Sequence, residues 1–249
     1  MKISIVTAAF NAAHTIVDAL ESVAAQTHPE IEHIVVDGAS ADGTPEMIER
    51  YGKHVSRFIS EPDRGIYDAM NKGLGLATGE VIGFLNADDV YADNGVLERV
   101  SAIMAKDDLD ALFGDAEFVS PTRPNQPLRR YRSERFRPGR IAWGWMPAHP
   151  ALFLKRSVYE RFGKFRTDYR IAGDFELVAR IFHSGTLTYR HLPEVLVRMR
   201  TGGISTAGWR NTLLLNQEVL RACRENGIPT NMLKILSKYP AKLLEYFHK

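Results

Sequence analysis

Val81-Ile82-Gly83-Phe84-Leu85-Asn86-Ala87-Asp88-Asp89 is an apolar run that ends in an amide and two neighbouring carboxylates. A short apolar run closed by polar turn residues predicts a buried strand. The same pattern occurs twice upstream. Ile3-Ser4-Ile5-Val6 leads into Thr7, and Ile31 to Val36 leads into Asp37-Gly38-Ala39-Ser40. A further strand is predicted over 55–59 and another over 111–118. Between them, residues 13–26 place Ile16, Leu20, Val23 and Ala24 at helical spacing, with Pro29 just beyond. Residues 45–51, 67–77 and 96–104 also read as helices. Alternation of this kind predicts an α/β fold: a mostly parallel sheet with helices on both faces. Ligands of such sheets collect beyond the carboxyl ends of the strands. Thr7, Asp37 and Asn86–Asp89 are therefore expected around one crevice.

The second half is less regular. Residues 121–140 are rich in Pro and Arg, and Trp143-Gly144-Trp145-Met146-Pro147 follows. Helices are expected over 156–162, 174–184 and 208–225, and one or two strands over 187–199. Gly202-Gly203 breaks the chain, and Met232 to Phe247 has the pattern of a terminal amphipathic helix.

Several side chains have chemistry suited to the crevice, each beside a plainer reading. Asp88 and Asp89 are hard oxygen ligands for Mg²⁺ or Mn²⁺, which bind one or two carboxylates and fill other positions with substrate phosphate. Equally, they suit a solvated turn that caps a helix. Asp37 is a carboxylate able to accept from a base N–H, or a turn residue. Arg64 suits a base or a phosphate.

Taken in order, these segments resemble the family 2 inverting glycosyltransferases. The likeness is carried by Ser4-Ile5-Val6-Thr7 with Asn11, by Val36 to Thr44, and by Asp68-Ala69-Met70-Asn71-Lys72-Gly73. Ala77-Thr78-Gly79-Glu80 and Phe84 to Asp89 complete it, over residues 3–200. The Gly65 to Asn71 block is most similar to the bacterial branch that builds surface polysaccharides and glycolipids.

The resemblance implies a GT-A fold and transfer of a sugar from a nucleotide-diphosphate donor to an acceptor hydroxyl. The pathway it implies is exopolysaccharide, O-antigen or glycolipid synthesis. Thr7, Asn11, Asp37, Asp63, Arg64, Asn71, Asn86, Asp88 and Asp89 would hold the donor, with Asp37 reading the base edge. Asp88 would bind a divalent cation, Mg²⁺ or Mn²⁺. Asn86 departs from the acid more usual at its position, so the metal is expected to bind together with donor diphosphate. In Ile171-Ala172-Gly173-Asp174-Phe175-Glu176-Leu177, Asp174 matches the general base. From its residues alone, Asp174 suits a helix cap equally well. His149, Glu176, Gly203 and Ser205 are candidates on the acceptor or diphosphate side. The implied organisation is a nucleotide-sugar-binding half over 1–118, an acceptor-side half over 119–206 and C-terminal helices over 207–249.

Composition narrows the alternatives. A net charge of +2 creates no global field demanding nucleic acid. The single Cys223 excludes an intramolecular disulfide. The first strand is followed by Ala8-Ala9-Phe10-Asn11, without the glycines of a dinucleotide site, and no P-loop motif occurs. The remaining rivals are a sugar nucleotidylyltransferase and a donor-binding module without catalysis. The N-terminus lacks signal-peptide character, so a cytoplasmic protein is expected, with peripheral contact at the inner membrane face as an extension. Arg123, Arg129, Arg130, Arg132, Arg135, Arg137 and Arg140 suit an anionic acceptor such as a lipid-linked sugar, or a solvated arm. The C-terminal stretch suits either an anionic membrane face or docking on the domain.

Overall fold

The N-terminal apolar run forms β1 (Ile3–Ala9), buried at all but one position. The computed structural model describes residues 1–121, 123–202 and 208–239, with side chains 123–125 set aside. β2 (Ile31–Asp37) pairs parallel to β1 on one side, and β3 (Val55–Ser60) pairs parallel to β2 beyond it. The chain then returns across β1, and β4 (Val81–Phe84) pairs parallel on the other side. This reversal makes the carboxyl ends of β1 and β4 a topological switch point, where an open sheet leaves a crevice.

The connecting helices are α1 (Ile16–Ala24), α2 (Thr44–Tyr51) and α3 (Ile66–Leu76). α1 buries Ile16, Ala19, Leu20 and Val23, the stripe that its spacing requires. Next come β5 (Val90–Tyr91), α4 (Val96–Lys106), β6 (Ala111–Ser120) and β7 (Arg123–Tyr131). β8 (Leu152–Lys155), α5 (Arg156–Phe162), α6 (Gly173–His183) and β9 (Tyr189–Arg200) follow, then α7 (Trp209–Glu225) and α8 (Met232–Leu236).

The strand order is β3-β2-β1-β4-β8-β6-β9-β5, with β7 paired to β6. Six strands (β1, β2, β3, β4, β6, β9) share one direction, and β5, β7 and β8 oppose it. The sheet is thus mainly parallel and flanked by helices. Alternate residues of each strand face two cores. Val6, Ile82, Phe84 and Phe113 pack toward α3, α6 and α7. Ile3, Ile5, Val81 and Leu112 pack toward α1 and α4.

The second half differs from expectation in three strands. β8 is inserted antiparallel between β4 and β6. β7 arises from the Pro- and Arg-rich stretch. Its Pro127 faces Val119 at a register shift, a place where an edge strand tolerates a residue with no N–H. β5 is two residues long. The 187–199 region is a single strand. Of the expected terminal helix, the described part is α8, and residues 240–249 lie outside the described residues. Among the described residues, no helix is long and apolar enough to cross a membrane.

Candidate active site

Asp37 ends β2 directly opposite Ala9 of β1, and Asn86–Asp89 follow β4 on the other side of β1. Neighbouring strands lie about 4.8 Å apart, so the β2 and β4 tips stand about 10 Å apart across β1. The loops after β1 and β2 are stitched together. The Asn11 N–H donates to Ser40 Oγ at 2.8 Å, and the Ala41 N–H donates to Asn11 Oδ1 at 3.2 Å. Asn11 holds a left-handed φ of 50°, which asparagine tolerates better than most residues.

Asp37 is fully buried. Its carboxylate accepts from the Ser40 hydroxyl, from the Ser40 N–H at 3.0 Å and from the Ser60 hydroxyl at 2.7 Å. Asp63 is close by: a Cβ on Gly38 would lie 2.5 Å from Asp63 Oδ2 and 3.2 Å from the Phe10 ring. Gly38 is therefore the residue that lets this acid and this aromatic ring close on the β2 tip. Phe10 is 66% exposed. It was absent from the sequence-based candidates, although a large aromatic in a polar turn directly after a strand is the signal for it. Arg64 is exposed beside Asp68, which it meets at 3.3 Å. With Tyr67, Asp68, Asp168 and Arg170 it lines a cleft of about 160 Å³.

Thr7, two residues before the end of β1, is fully buried, and its hydroxyl bonds His33 Nε2 at 3.0 Å. Burial pushes His33 down to about 4, so it is neutral there. Asn71 lies on α3. Its amide donates to Phe165 O at 2.8 Å and accepts from the Phe165 N–H at 3.0 Å. Both ends are spent on holding the loop before α6.

At the β4 tip, the Asn86 side-chain amide donates to Asp89 Oδ2 at 2.8 Å. Asp89 is only 2% exposed and also accepts from the Arg200 N–H at 3.3 Å. Burial, followed by the Asp88 charge, pushes Asp89 up to about 8. Burial also raises Asp88, against the pull of its own backbone and of Arg200. Two adjacent carboxylates resisting ionisation are a site that a cation would relieve. Among the described residues no group of three or more His, Cys, Asp or Glu gathers. The chain therefore supplies a partial set of hard oxygens, which fits a Mg²⁺ or Mn²⁺ ion whose remaining positions go to phosphate and water.

Asp174 opens α6 and is half-buried. Its Oδ1 accepts from the Phe175 N–H at 2.8 Å and lies 3.3 Å from the Tyr67 hydroxyl. Among the described residues, Oδ2 accepts no hydrogen bond. The Tyr67 proton goes to the closer Ile171 carbonyl, at 2.6 Å. Burial, then the Asp174 charge, raises the Tyr67 phenol well above its ordinary range. His149 lies within electrostatic reach of Asp174 and stacks on Phe84, the last residue of β4, at 5.6 Å. Burial lowers His149, against the Asp174 charge. The Phe165 ring lies between Phe84, at 5.1 Å, and Tyr67, at 5.8 Å, and so links the end of β4 to the start of α6.

Glu176 is 1% exposed and forms a two-pronged pair with Arg180, at 2.9 and 3.0 Å, and its Oε1 also accepts from the Asn226 side-chain amide at 3.4 Å. Gly203 and Ser205 lie outside the described residues. A residue missed from the sequence is Glu218 on α7. Its buried carboxylate accepts from the N–H groups of Arg170, Ile171 and Ala172, each at 2.8 Å, and so fixes the turn that delivers Asp174. The hint was an acid set among Leu215, Val219 and Ala222 on the apolar stripe of α7.

The model of the family described as Glycosyl transferase family 2 matches residues 4–163. A PGL/p-HBAD biosynthesis glycosyltransferase of Mycobacterium bovis is 29% identical over 213 residues, covering 81% of this chain and 78% of the relative. An uncharacterised glycosyltransferase of Mycobacterium tuberculosis is 31% identical over 72% of this chain and 68% of its own length. S. aureus TarS in complex with UDP-GlcNAc is similar in structure, with a TM-score of 0.69 and 18% identity over 89% of this chain and 66% of that one. A Pyrobaculum calidifontis mannosyltransferase in complex with GDP-Man and Mn²⁺ has a TM-score of 0.64 and 22% identity over 88% of this chain and 64% of that one. The chain spans 40% of a longer TarS structure.

Proposed function

Because this chain belongs to glycosyl transferase family 2 and is a GT-A glycosyltransferase, we propose that it works by inversion on a nucleotide-diphosphate sugar, with Asp174 as the general base. Asp174 takes the proton of an acceptor hydroxyl as that oxygen attacks the anomeric carbon. The bond to the diphosphate breaks on the opposite face of the sugar, so the configuration inverts. A base needs one carboxylate oxygen open to the acceptor, and Oδ2 meets that requirement. Glu218 and Tyr67 hold the turn before Asp174 and are positioning residues.

Asp37, Asp63 and Phe10 receive the base and ribose at the β2 tip, with Asn11 bracing the loop between them. Asn86, Asp88 and Asp89 face the diphosphate, and Asp88 would hold Mg²⁺ or Mn²⁺. Bound there, the ion would supply charge neutralisation for the leaving diphosphate. Residues 1–118 would form the donor half and the chain over 119–206 the acceptor half, followed by the C-terminal part that carries α7 and α8. The UDP-GlcNAc and GDP-Man of the structural neighbours make sugar nucleotides of these kinds the first donors to try. The proposed pathway is surface glycolipid or polysaccharide synthesis on a sugar or lipid-linked sugar acceptor at the inner face of the cell membrane, and the likeness to a PGL/p-HBAD biosynthesis glycosyltransferase supports a biosynthetic role of this kind.

The observation that supports the reading is Asp174 at the opening of α6, joined to the end of β4 by the Tyr67, Phe165 and Phe84 rings in contact, with no hydrogen bond to its Oδ2 among the described residues. The test is a thermal-shift panel of UDP-, GDP- and dTDP-sugars with and without Mn²⁺, followed by transfer assays of Asp174→Asn. A donor that binds only the folded state raises the melting temperature. Asp174→Asn is expected to keep that shift and lose transfer. No stabilising donor, or near-normal transfer by the variant, overturns the proposal.

A further inference from the structure

The transfer step described above leaves the polar residues of Asp68-Ala69-Met70-Asn71-Lys72-Gly73 without a task. On α3 they form two pairs four residues apart, Tyr67 with Asn71 and Asp68 with Lys72. Each pair occupies its own stripe of the helix, and the stripes lie about 100° apart. A further face is seated on the sheet. Met70 and Leu74 are buried there, and Gly73 settles on Val6 of β1, where a Cβ would collide with the valine.

The Asp68 and Lys72 stripe holds the loop after β3. Asp68 Oδ2 accepts from the Arg64 N–H at 3.1 Å, and Oδ1 meets the Arg64 guanidinium at 3.3 Å. The Arg64 N–H, aided by the Arg64 and Lys72 charges, keeps the Asp68 carboxyl below its usual range. Lys72 donates to the Pro62 carbonyl at 2.8 Å and pairs with Glu61 at 2.8 Å. Between these anchors lies Asp63. Its Oδ1 accepts from the Gly65 N–H at 2.8 Å, and its Oδ2 lies against Gly38 at the β2 tip. Gly65 turns the loop into α3 with a φ of 114°, which glycine adopts without strain.

The Tyr67 and Asn71 stripe holds the loop before α6 instead. Asn71 binds both backbone groups of Phe165, and Tyr67 donates to the Ile171 carbonyl. These two contacts stand at either end of residues 165–171, just before Asp174.

We propose that α3 is a two-sided bracket, in which Asp68 and Lys72 position the Asp63 loop for the nucleoside and Asn71 positions the turn that carries Asp174. The consequences for donor affinity and for proton transfer rest on the functional reading above. The bracket itself rests only on contacts within the chain.

Hydrogen exchange of the full chain, followed by mass spectrometry, reads the bracket without any ligand. Lys72→Met and Asp68→Ala are expected to speed exchange over residues 61–65 about tenfold or more and to leave 165–172 as they are. Asn71→Ser is expected to do the reverse. Calorimetric titration with UDP and GDP, and transfer assays with the donor found by thermal shift, then read the function. Lys72→Met should raise nucleotide Kd and donor KM about fivefold or more with kcat within about twofold, whereas Asn71→Ser should lower kcat about fivefold or more with nucleotide Kd nearly unchanged. Lys72→Arg keeps a cation beside Pro62 and Glu61 and should restore most of the affinity. Lys72 is partly exposed, so its variants carry the test should Asn71→Ser fold poorly. Faster exchange in both loops alike, faster exchange in neither, or a rise in nucleotide Kd for Asn71→Ser that equals that of Lys72→Met overturns the proposal. Wild-type protein that binds neither UDP nor GDP would remove the donor reading instead, and the exchange pattern alone would then decide the bracket.

Discussion

The Tyr67 hydroxyl lies 3.3 Å from Asp174 Oδ1 and 2.6 Å from the Ile171 carbonyl, joining the first turn of α3 to the turn that opens α6. A phenol has one proton, and the shorter bond takes it. Asp174 is therefore held in place without giving up its capacity to accept a proton. Tyr67→Phe removes the tie and leaves the acid. We expect a stability loss of about 1 kcal/mol and a fall in kcat with little change in donor KM. Denaturant midpoints and donor saturation curves check both. Unchanged kcat would mean that the tyrosine is only core.

Glu218 grips three consecutive N–H groups immediately before Gly173 and Asp174. Hydrogen bonds to a charged acceptor are worth about 1.5–3 kcal/mol each in the most favourable cases, and their effects are not additive. Glu218→Gln retains the shape but offers a neutral carbonyl in place of a carboxylate. It should cost about 2 kcal/mol and lower kcat more than it raises donor KM. A purely structural role would lower stability and leave kcat of the folded fraction untouched, which active-site titration can separate.

Gly173 is required by close approach. A Cβ there would sit 2.7 Å from the Tyr67 ring. That ring also stacks near Phe165, at 5.8 Å. Gly173→Ala forces one of them to move, at about 1–3 kcal/mol, and displaces Asp174 with it. The expected outcome is a lower melting temperature together with reduced transfer. Adding Tyr67→Phe should rescue neither, because the clash is with ring carbons.

Glu32 provides a pH signature remote from the site. Burial pushes this carboxyl up, but hydrogen bonds from Ser4, from the Thr78 N–H and hydroxyl and from Lys2 outweigh it, bringing it to about 2 from 4.5. The folded state therefore holds its proton less tightly than the unfolded chain does. The stabilisation is complete above about 4.5 and is lost as pH falls toward 2. Glu32→Gln should cost about 2 kcal/mol at neutral pH, with the gap to wild type closing over that acid window. Urea melts at a series of pH values read it directly, and a gap that stays constant with pH would reject the assignment.

Asp88→Ala isolates the cation. Removing this carboxylate should abolish any Mn²⁺-dependent part of donor binding while the Asp37 end still holds the nucleoside. Calorimetric titration with UDP or GDP, with and without Mn²⁺, checks it. Equal affinities for variant and wild type in Mn²⁺ would remove Asp88 from metal binding.

The first half of the chain declared itself in the sequence because buried parallel strands are written as unbroken apolar runs. Their intervening helices bury a stripe of fixed period, and both signals are local. Ile3–Ala9, Ile31–Asp37 and Val81–Phe84 were therefore legible, as was the presence of acids at their ends. Motif order likewise brought Asp174 to attention. Tertiary structure alone decided what each polar group is free to do. Nothing local in the sequence marks the partners that the fold gives Thr7 and Asn71, which are His33 and Phe165. The antiparallel insertion of β8, the grip of Glu218 on residues 170–172 and the approach of Phe10 to Asp63 were equally out of reach. Hydrogen bonds and close packing between distant segments depend on how the chain closes on itself, and no local periodicity encodes that.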